Sequence, residues 1–307
     1  MKDFAATLLE QLPKADIRQS EDMKEHTTFR VGGAADFYIN VHSVEDLKAG
    51  IACCRQYDMP VYVLGNGSNV LVSDQGIRGV VFQLDHDFSK VEIEQAEDGA
   101  IYVTAEAGAM LSKLGKLMLE KGLTGFEWAA GIPGTIGGAV YMNAGAYGGE
   151  MKDIVCSVTV LTKDLEIETR ELSQLCLSYR HSSLMDEEAY ILSVTFALQR
   201  GEQKEIAARM EELAGKRKQK QPLEYPSAGS TFKRPEGYFA GKLIEDAGLR
   251  GYQVGGAQIS EKHCGFVINR DNATAQDIYQ LTEDVKRIVK EQFGVEMERE
   301  IALLGEF

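Results

Sequence analysis

A chain of 307 residues, 44% apolar and 26% charged, exceeds one ordinary hydrophobic core and has the composition of a soluble globular protein of two or three domains. A net charge of −14 disfavours nucleic acid or anionic lipid as a partner of the whole surface, so an anionic ligand needs a local site. No apolar run approaches the ~20 residues that cross a bilayer, and the first segment turns acidic early, which predicts a cytoplasmic protein without a membrane partner.

Taken in chain order, SVEDLKAGIACCRQYD (43–58) has the apolar spacing of a helix with Ser43 as its cap, and PVYVL (60–64) reads as a strand after it. VEIEQAEDGAIYVTAEAG (91–108) alternates apolar and polar residues about an acidic turn, and AMLSKLGKLMLEKG (109–122) reads as a helix stopped by Gly122. The stretches 154–172 and 189–201 alternate again, which predicts antiparallel strands and an α+β class. A helix follows with Ile206, Met210 and Leu213 on one face, ended by Pro222. Two amphipathic helices are expected in the last third. One lies around YFAGKLIEDAGLRG (238–251). The other, from Thr274 to Gly294, has Ile278, Leu281, Val285, Ile288 and Val289 on one face. Domain boundaries are expected near residue 90 and close to the 203–220 helix.

Cys53, Cys54, Cys156, Cys176 and Cys264 form an odd set with no CxxC pair, and the five histidines give no HExxH. Neither a disulfide framework nor a metal site is expected.

Two glycine clusters carry the chemistry. VLGNGSNVLV contains Gly65, Asn66, Gly67, Ser68 and Asn69, and AAGIPGTIGGAVYMNAGAYGG contains Gly131, Ile132, Pro133, Gly134, Thr135 and Gly138. Glycine turns backbone amides toward a ligand and lets a phosphate approach without a Cβ in the way. Val70 stands where a third dinucleotide-fold glycine would be, and neither cluster is a P-loop. A hairpin turn and a ligand cradle both remain open for the first cluster. The density of glycine in the second favours a cradle. A third stretch, EYPSAGSTFKRP (224–235), places Ser230 after a glycine and before two bases, which suits either a turn or a positioned hydroxyl.

TTFRVGGAADF, LGNGSNVLVSD, GIPGTIGGAVYMNAGAYGGE, LSYRHSSL, SAGSTFKRP and MEREI occur in the order and at the spacing that resemble the UDP-N-acetylenolpyruvoylglucosamine reductase family, from about residue 25 to the C-terminus. That resemblance implies a two-subdomain noncovalent FAD-binding module of the PCMH type plus a third α+β substrate-binding domain. The implied division is 1–90 and 91–215 for the flavin halves, 216–295 for the substrate domain, and 296–307 for a segment returning to the site. It implies NADPH as hydride donor and a UDP-sugar as substrate, UDP-N-acetylglucosamine enolpyruvate being reduced to UDP-N-acetylmuramate. No obligate protein partner is evident.

By the same resemblance Ser230 is the proton donor, Arg180 the stabiliser of the developing carboxylate-conjugated charge, and Glu300 the third catalytic residue. By residue type alone Arg180 reads as a surface arginine at a strand end, and Glu300 as a solvated charge. Arg217 continues the face 206, 210, 213, so it either meets an anion or snorkels to water. The UDP diphosphate is the anion expected, with Tyr179 and Lys233 as further substrate contacts and Lys216 peripheral. AYILSVTFALQRGEQKEI passes directly from strand to helix, so the tyrosine-bearing segment of the longer family form has no counterpart. The rivals are another FAD oxidase, many of which link the flavin through a histidine absent from both glycine loops, and a nonenzymatic nucleotide-sugar sensor.

Overall fold

In a computed structural model that describes residues 2–97 and 99–307, the alternating segments become one antiparallel sheet. Its strands run in the order Ile167–Glu171, Val155–Thr162, Ala189–Arg200, Ile101–Glu106, Val91–Gln95, with Leu123–Thr124 paired to the end of the longest. Every second side chain turns inward, so Ile101, Val103, Ala105, Val194, Phe196 and Leu198 are buried. Burying each of the larger side chains among them contributes about 1.5–3 kcal/mol. Phe126 stacks on Phe196 at 5.3 Å between ring centroids.

Chain contacts define two units, one of residues 1–17, 39–66 and 81–216, the other of residues 18–38, 67–80 and 217–307. The chain changes unit inside Asp16–Asp22, Ala34–Asn40 and Ile77–Gln83, inside the first glycine loop, and inside a long helix. None of these crossings is a flexible linker, which is why composition marks no boundary.

The first unit holds the antiparallel sheet. Helix α1 (Lys2–Gln11) buries Phe4 and Leu8 and packs on α2 (Val44–Gln56). Ser43 caps α2, its hydroxyl accepting from the Asp46 amide at 3.1 Å. Helix α3 (Leu111–Lys121) ends at Gly122, whose φ of 64° closes it in the left-handed conformation. Helix α4 (Ile136–Tyr141) packs on Ala189–Arg200, and α5 (Gln203–Lys220) begins three residues after that strand ends. The connection is thus two residues, Gly201 and Glu202, as the direct passage from strand to helix in the sequence predicts.

In the second unit Gln253–Val254, Ala257–Ile259 and Val267–Asn269 form a small antiparallel sheet, α7 (Ala275–Phe293) packs on its first two strands, and α6 (Ala240–Asp246) packs on α7. Helix α6 is shorter than its sequence pattern, and Tyr238 and Phe239 are exposed ahead of it. Helix α7 buries Ile278, Leu281, Val285 and Val289 and carries a reciprocal cap between Thr274 and Asp277. A second cap comes from far away in sequence, because the Asp74 carboxylate accepts from the Ala275 and Gln276 amides at 2.8 and 2.9 Å. Val70–Val72 pairs in parallel with Ala302–Leu304, so the apolar run after the first glycine loop is half of a long-range pair and not the return strand of a hairpin.

Candidate active site

The two glycine loops meet in the first unit. A Cβ at Gly65 would lie 2.4 Å from the Thr135 hydroxyl oxygen, a distance no side chain tolerates, so the close approach itself requires glycine. Thr135 is buried and caps α4, its hydroxyl accepting from the Gly138 amide at 3.5 Å. The loop is pinned behind by backbone bonds from Leu111 to the Gly134 carbonyl and from Ile136 to the Ala109 carbonyl, both 2.9 Å. Its outer side, Gly131, Pro133 and Gly138, is exposed. What remains is a wall of backbone with few side chains, against which an extended diphosphate-containing cofactor fits.

In the second unit Gly67, at φ 60°, brings its Cα so near His26 that a Cβ would sit 2.0 Å from the His26 carbonyl oxygen. Asn69 holds the C-terminal segment, its side-chain amide donating to the Glu300 carbonyl at 3.0 Å and its own carbonyl accepting from Ala302 at 2.9 Å. Gly67 and Asn69 thus carry packing duties that their motif does not announce.

Ser230 and Glu300 are brought together in this unit. The chain at 230–233 lies between two others. Ser230 bridges Phe266 on one side and Phe232 bridges Arg299 on the other, both antiparallel. Thr231 donates its amide to the Gly265 carbonyl at 2.9 Å, and its carbonyl accepts from the Glu300 amide at 2.8 Å. Thr231 is fully buried and its hydroxyl accepts from Val267 at 3.0 Å, which locks the register. Ser230 itself is exposed, following Gly229 at φ 77°. The result is an accessible hydroxyl on a backbone held from both edges, with Glu300 half-buried on the adjoining segment.

Sequence gave no sign of His263. It is half-buried, and its Nδ1 accepts from the Gly265 amide at 3.1 Å, which leaves the proton of the neutral ring on Nε2. Burial pushes its pKa below the usual histidine range, so a neutral imidazole stands on the segment that pairs with Ser230.

Arg180 belongs to the first unit. Ser178 and His181 exchange both backbone bonds across a two-residue turn, at 3.0 and 3.3 Å, with Tyr179 and Arg180 between them. Arg180 has φ 54°, which is uncommon for a residue with a Cβ, and its guanidinium donates to the Gly145 carbonyl at 3.2 Å while lying over the Tyr179 ring at 5.1 Å. Tyr179 is exposed. Arg217 is half-buried on α5, one turn beyond the buried Leu213. Lys233 is paired with Glu298 at 2.5 Å. A groove of about 550 Å³ in the second unit is lined by Lys286, Glu296 to Arg299, Ile301 and Leu303, and neither Ser230 nor Glu300 lines it. Among the described residues Asp85, His86 and Asp87 form a group with metal-ligand spacing, but they lie on an exposed turn.

Residues 35–169 match the family described as FAD binding domain, and residues 221–304 match UDP-N-acetylenolpyruvoylglucosamine reductase, C-terminal domain. A UDP-N-acetylenolpyruvoylglucosamine reductase from Lachnoclostridium phytofermentans is 54% identical, covering 94% of this chain and 92% of its own. The one from Agathobacter rectalis is 51% identical over 99% of both. The crystal structure of UDP-N-acetylenolpyruvylglucosamine reductase from Thermus caldophilus superimposes with a TM-score of 0.79 at 34% identity, covering 95% of this chain and 99% of that one. With half the residues shared along nearly the whole length, and the glycine cradle and the Ser230 segment both formed, the chain belongs to the UDP-N-acetylenolpyruvoylglucosamine reductase family.

Proposed function

We propose that this chain reduces UDP-N-acetylglucosamine enolpyruvate to UDP-N-acetylmuramate with NADPH, a step of peptidoglycan precursor synthesis, and that Ser230, Arg180 and Glu300 carry the substrate chemistry. FAD, held noncovalently by the glycine loops, would supply the redox chemistry that links NADPH oxidation to reduction at the enolpyruvyl methylene carbon. Hydride addition there leaves electron density on the carbon beside the carboxylate, which must then be protonated. The observation that carries the reading is the Ser230 hydroxyl, exposed on a backbone held at both edges and joined through Thr231 to the segment of Glu300. Ser230 delivers the proton, and its exposure lets it be replenished from solvent. Arg180 meets the carboxylate with its planar fork, and Glu300 orients the same group.

Gly65, Asn66, Gly131 to Thr135 and Gly138 hold the cofactor, and Gly67, Ser68 and Asn69 are assigned to cofactor binding with them. Tyr179, Arg217 and Lys233 contact the UDP-sugar. Residues 1–90 and 91–215 act as the flavin halves and 216–295 as the substrate domain. The 296–307 segment is the returning one, a role supported by its bonds to Asn69 and Thr231. No helix among the described residues is long and apolar enough to cross a membrane, and a reaction drawing on NADPH and a UDP-sugar fits the cytoplasm.

The purified protein is expected to be yellow, and acid precipitation should leave all of the flavin in the supernatant. Flavin retained in the pellet would contradict noncovalent binding. Incubated with NADPH and the enolpyruvyl UDP-sugar, the protein should yield a product heavier by two hydrogens in a mass spectrum. NADPH consumption with an unchanged sugar would sink the assignment. Arg217→Ala is expected to weaken UDP-sugar binding by about 2–5 kcal/mol where the ion pair formed is desolvated, and by under about 1 kcal/mol where it stays wet. Calorimetric titration distinguishes these, and an unchanged dissociation constant places the side chain outside the substrate contact.

A further inference from the structure

The glycine-rich stretch 131–149 contains one residue whose role neither the cofactor cradle nor the catalytic trio explains. Asn143 is fully buried, with φ 45°. Its side-chain amide donates to the Ser178 carbonyl and to the Glu150 carboxylate, both at 2.7 Å, and its side-chain oxygen accepts from the Lys152 amide at 2.9 Å. Three strong bonds from a buried side chain in the left-handed conformation fit asparagine closely. It is the polar side chain most tolerant of that φ, and it offers donors and an acceptor together. Aspartate would set a like charge against Glu150 and lose the donor to Ser178. Glycine would satisfy the φ but none of the bonds.

The Ser178 carbonyl is the first acceptor of the turn that presents Arg180. It takes the His181 amide at 3.3 Å, a long bond, and the Asn143 amide at 2.7 Å, a short one. The turn carries a positive φ at Arg180, which costs of order 1–3 kcal/mol and persists only when its surroundings over-determine it. Asn143 supplies that restraint from beneath. Ser182, also fully buried, supplies another by donating to the Tyr141 carbonyl at 2.5 Å. Glu150 adds a fixed charge to the same arrangement. Its hydrogen bond with Lys152 holds its pKa below the usual carboxylate range, against a smaller opposing effect of burial, and bonding to Asn143 and the field of Arg180 lower it further.

We propose that Asn143 is a positioning residue for the reduction, fixing the direction of the Arg180 guanidinium through the Ser178 carbonyl. The proposal rests on the reading of Arg180 as the residue that meets the substrate carboxylate. A catalytic group displaced by about 1 Å loses on the order of 100-fold in rate. Asn143→Gly, which keeps the backbone unstrained, should therefore slow reduction of the enolpyruvyl sugar by about 10- to 100-fold. Reduction of bound flavin by NADPH, in which Arg180 has no part, should be unchanged.

The test is a double-mutant cycle read by stopped-flow absorbance of the flavin band, with Asn143→Gly, Arg180→Ala and the pair together. If Asn143 acts through Arg180, the double variant should be no slower than Arg180→Ala alone. Multiplying effects, or an equal slowing of both half-reactions by Asn143→Gly, would overturn the proposal. An Arg180→Ala variant that reacts as the wild type would instead overturn the reading of Arg180. Should Asn143→Gly fail to retain flavin, Asn143→Asp keeps the bond from Lys152 and provides the same test through pH. Its carboxyl can donate to Ser178 only when protonated, so its rate relative to wild type should rise as pH falls. A flat ratio across pH would overturn the proposal.

Discussion

Ser230→Ala is expected to leave reduction of the flavin by NADPH almost unchanged and to slow its reoxidation by the enolpyruvyl UDP-sugar by about 100- to 10,000-fold. That corresponds to roughly 2.7–5.5 kcal/mol of barrier, the usual contribution of a positioned acid. The asymmetry follows from the chemistry, since only the substrate half places charge on a carbon that must be protonated. The backbone around Ser230 is held by the Thr231 bonds to Gly265 and Glu300 and not by the serine side chain, so the substitution removes the hydroxyl without loosening the segment. Equal slowing of both halves in stopped-flow traces would mean that Ser230 shapes the site rather than donating a proton.

Arg180→Ala is expected to slow the same half by about 100- to 1,000-fold, on the order of 2.7–4 kcal/mol, the range for removing one donor aimed at developing charge. Arg180→Lys should recover only part of this, because an ammonium cannot present two parallel donors to a carboxylate. The positive φ at Arg180 sharpens the expectation. A residue with a Cβ is kept there at some energetic cost, and Ser178, His181 and Gly145 all bond around it. Reoxidation at the wild-type rate in Arg180→Ala would remove this arginine from the mechanism.

Local signals in the sequence specify most of the elements. The period-two alternation of 91–108, 154–172 and 189–201 is realised as strands, and Ser43, Gly122, Thr274 and Gly294 terminate their helices as their types require. What sequence could not show are features set by partners distant in the chain. Val70–Val72 looks like the second arm of a hairpin because its apolar pattern says nothing about register, and its actual partner lies more than two hundred residues away. The Asp74 cap on α7 and the crossing of the chain between units inside strands are invisible for the same reason.

The site divides similarly. The proposed roles of Ser230, Arg180 and Glu300 rest on the spacing of whole motifs. By type alone each is an ordinary surface residue, and their distinction lies in turn geometry and edge pairing. Asn143 has no signal of its own in the sequence, where an asparagine among glycines reads as one more turn former, and its burial and three bonds appear only once the chain is folded. Gly65 serves the close approach of the two loops in the first unit, but Gly67 answers to the His26 carbonyl.

The claim on which everything else depends is that this one chain passes electrons from NADPH to the enolpyruvyl double bond. Anaerobic absorbance tests it most directly. One equivalent of NADPH should bleach the flavin band, the bleached state should persist, and one equivalent of the enolpyruvyl UDP-sugar should restore the full colour with formation of the lactyl ether. A band that stays bleached with the enolpyruvyl sugar and returns only when oxygen is admitted would contradict the account and identify an oxidase on the same flavin scaffold.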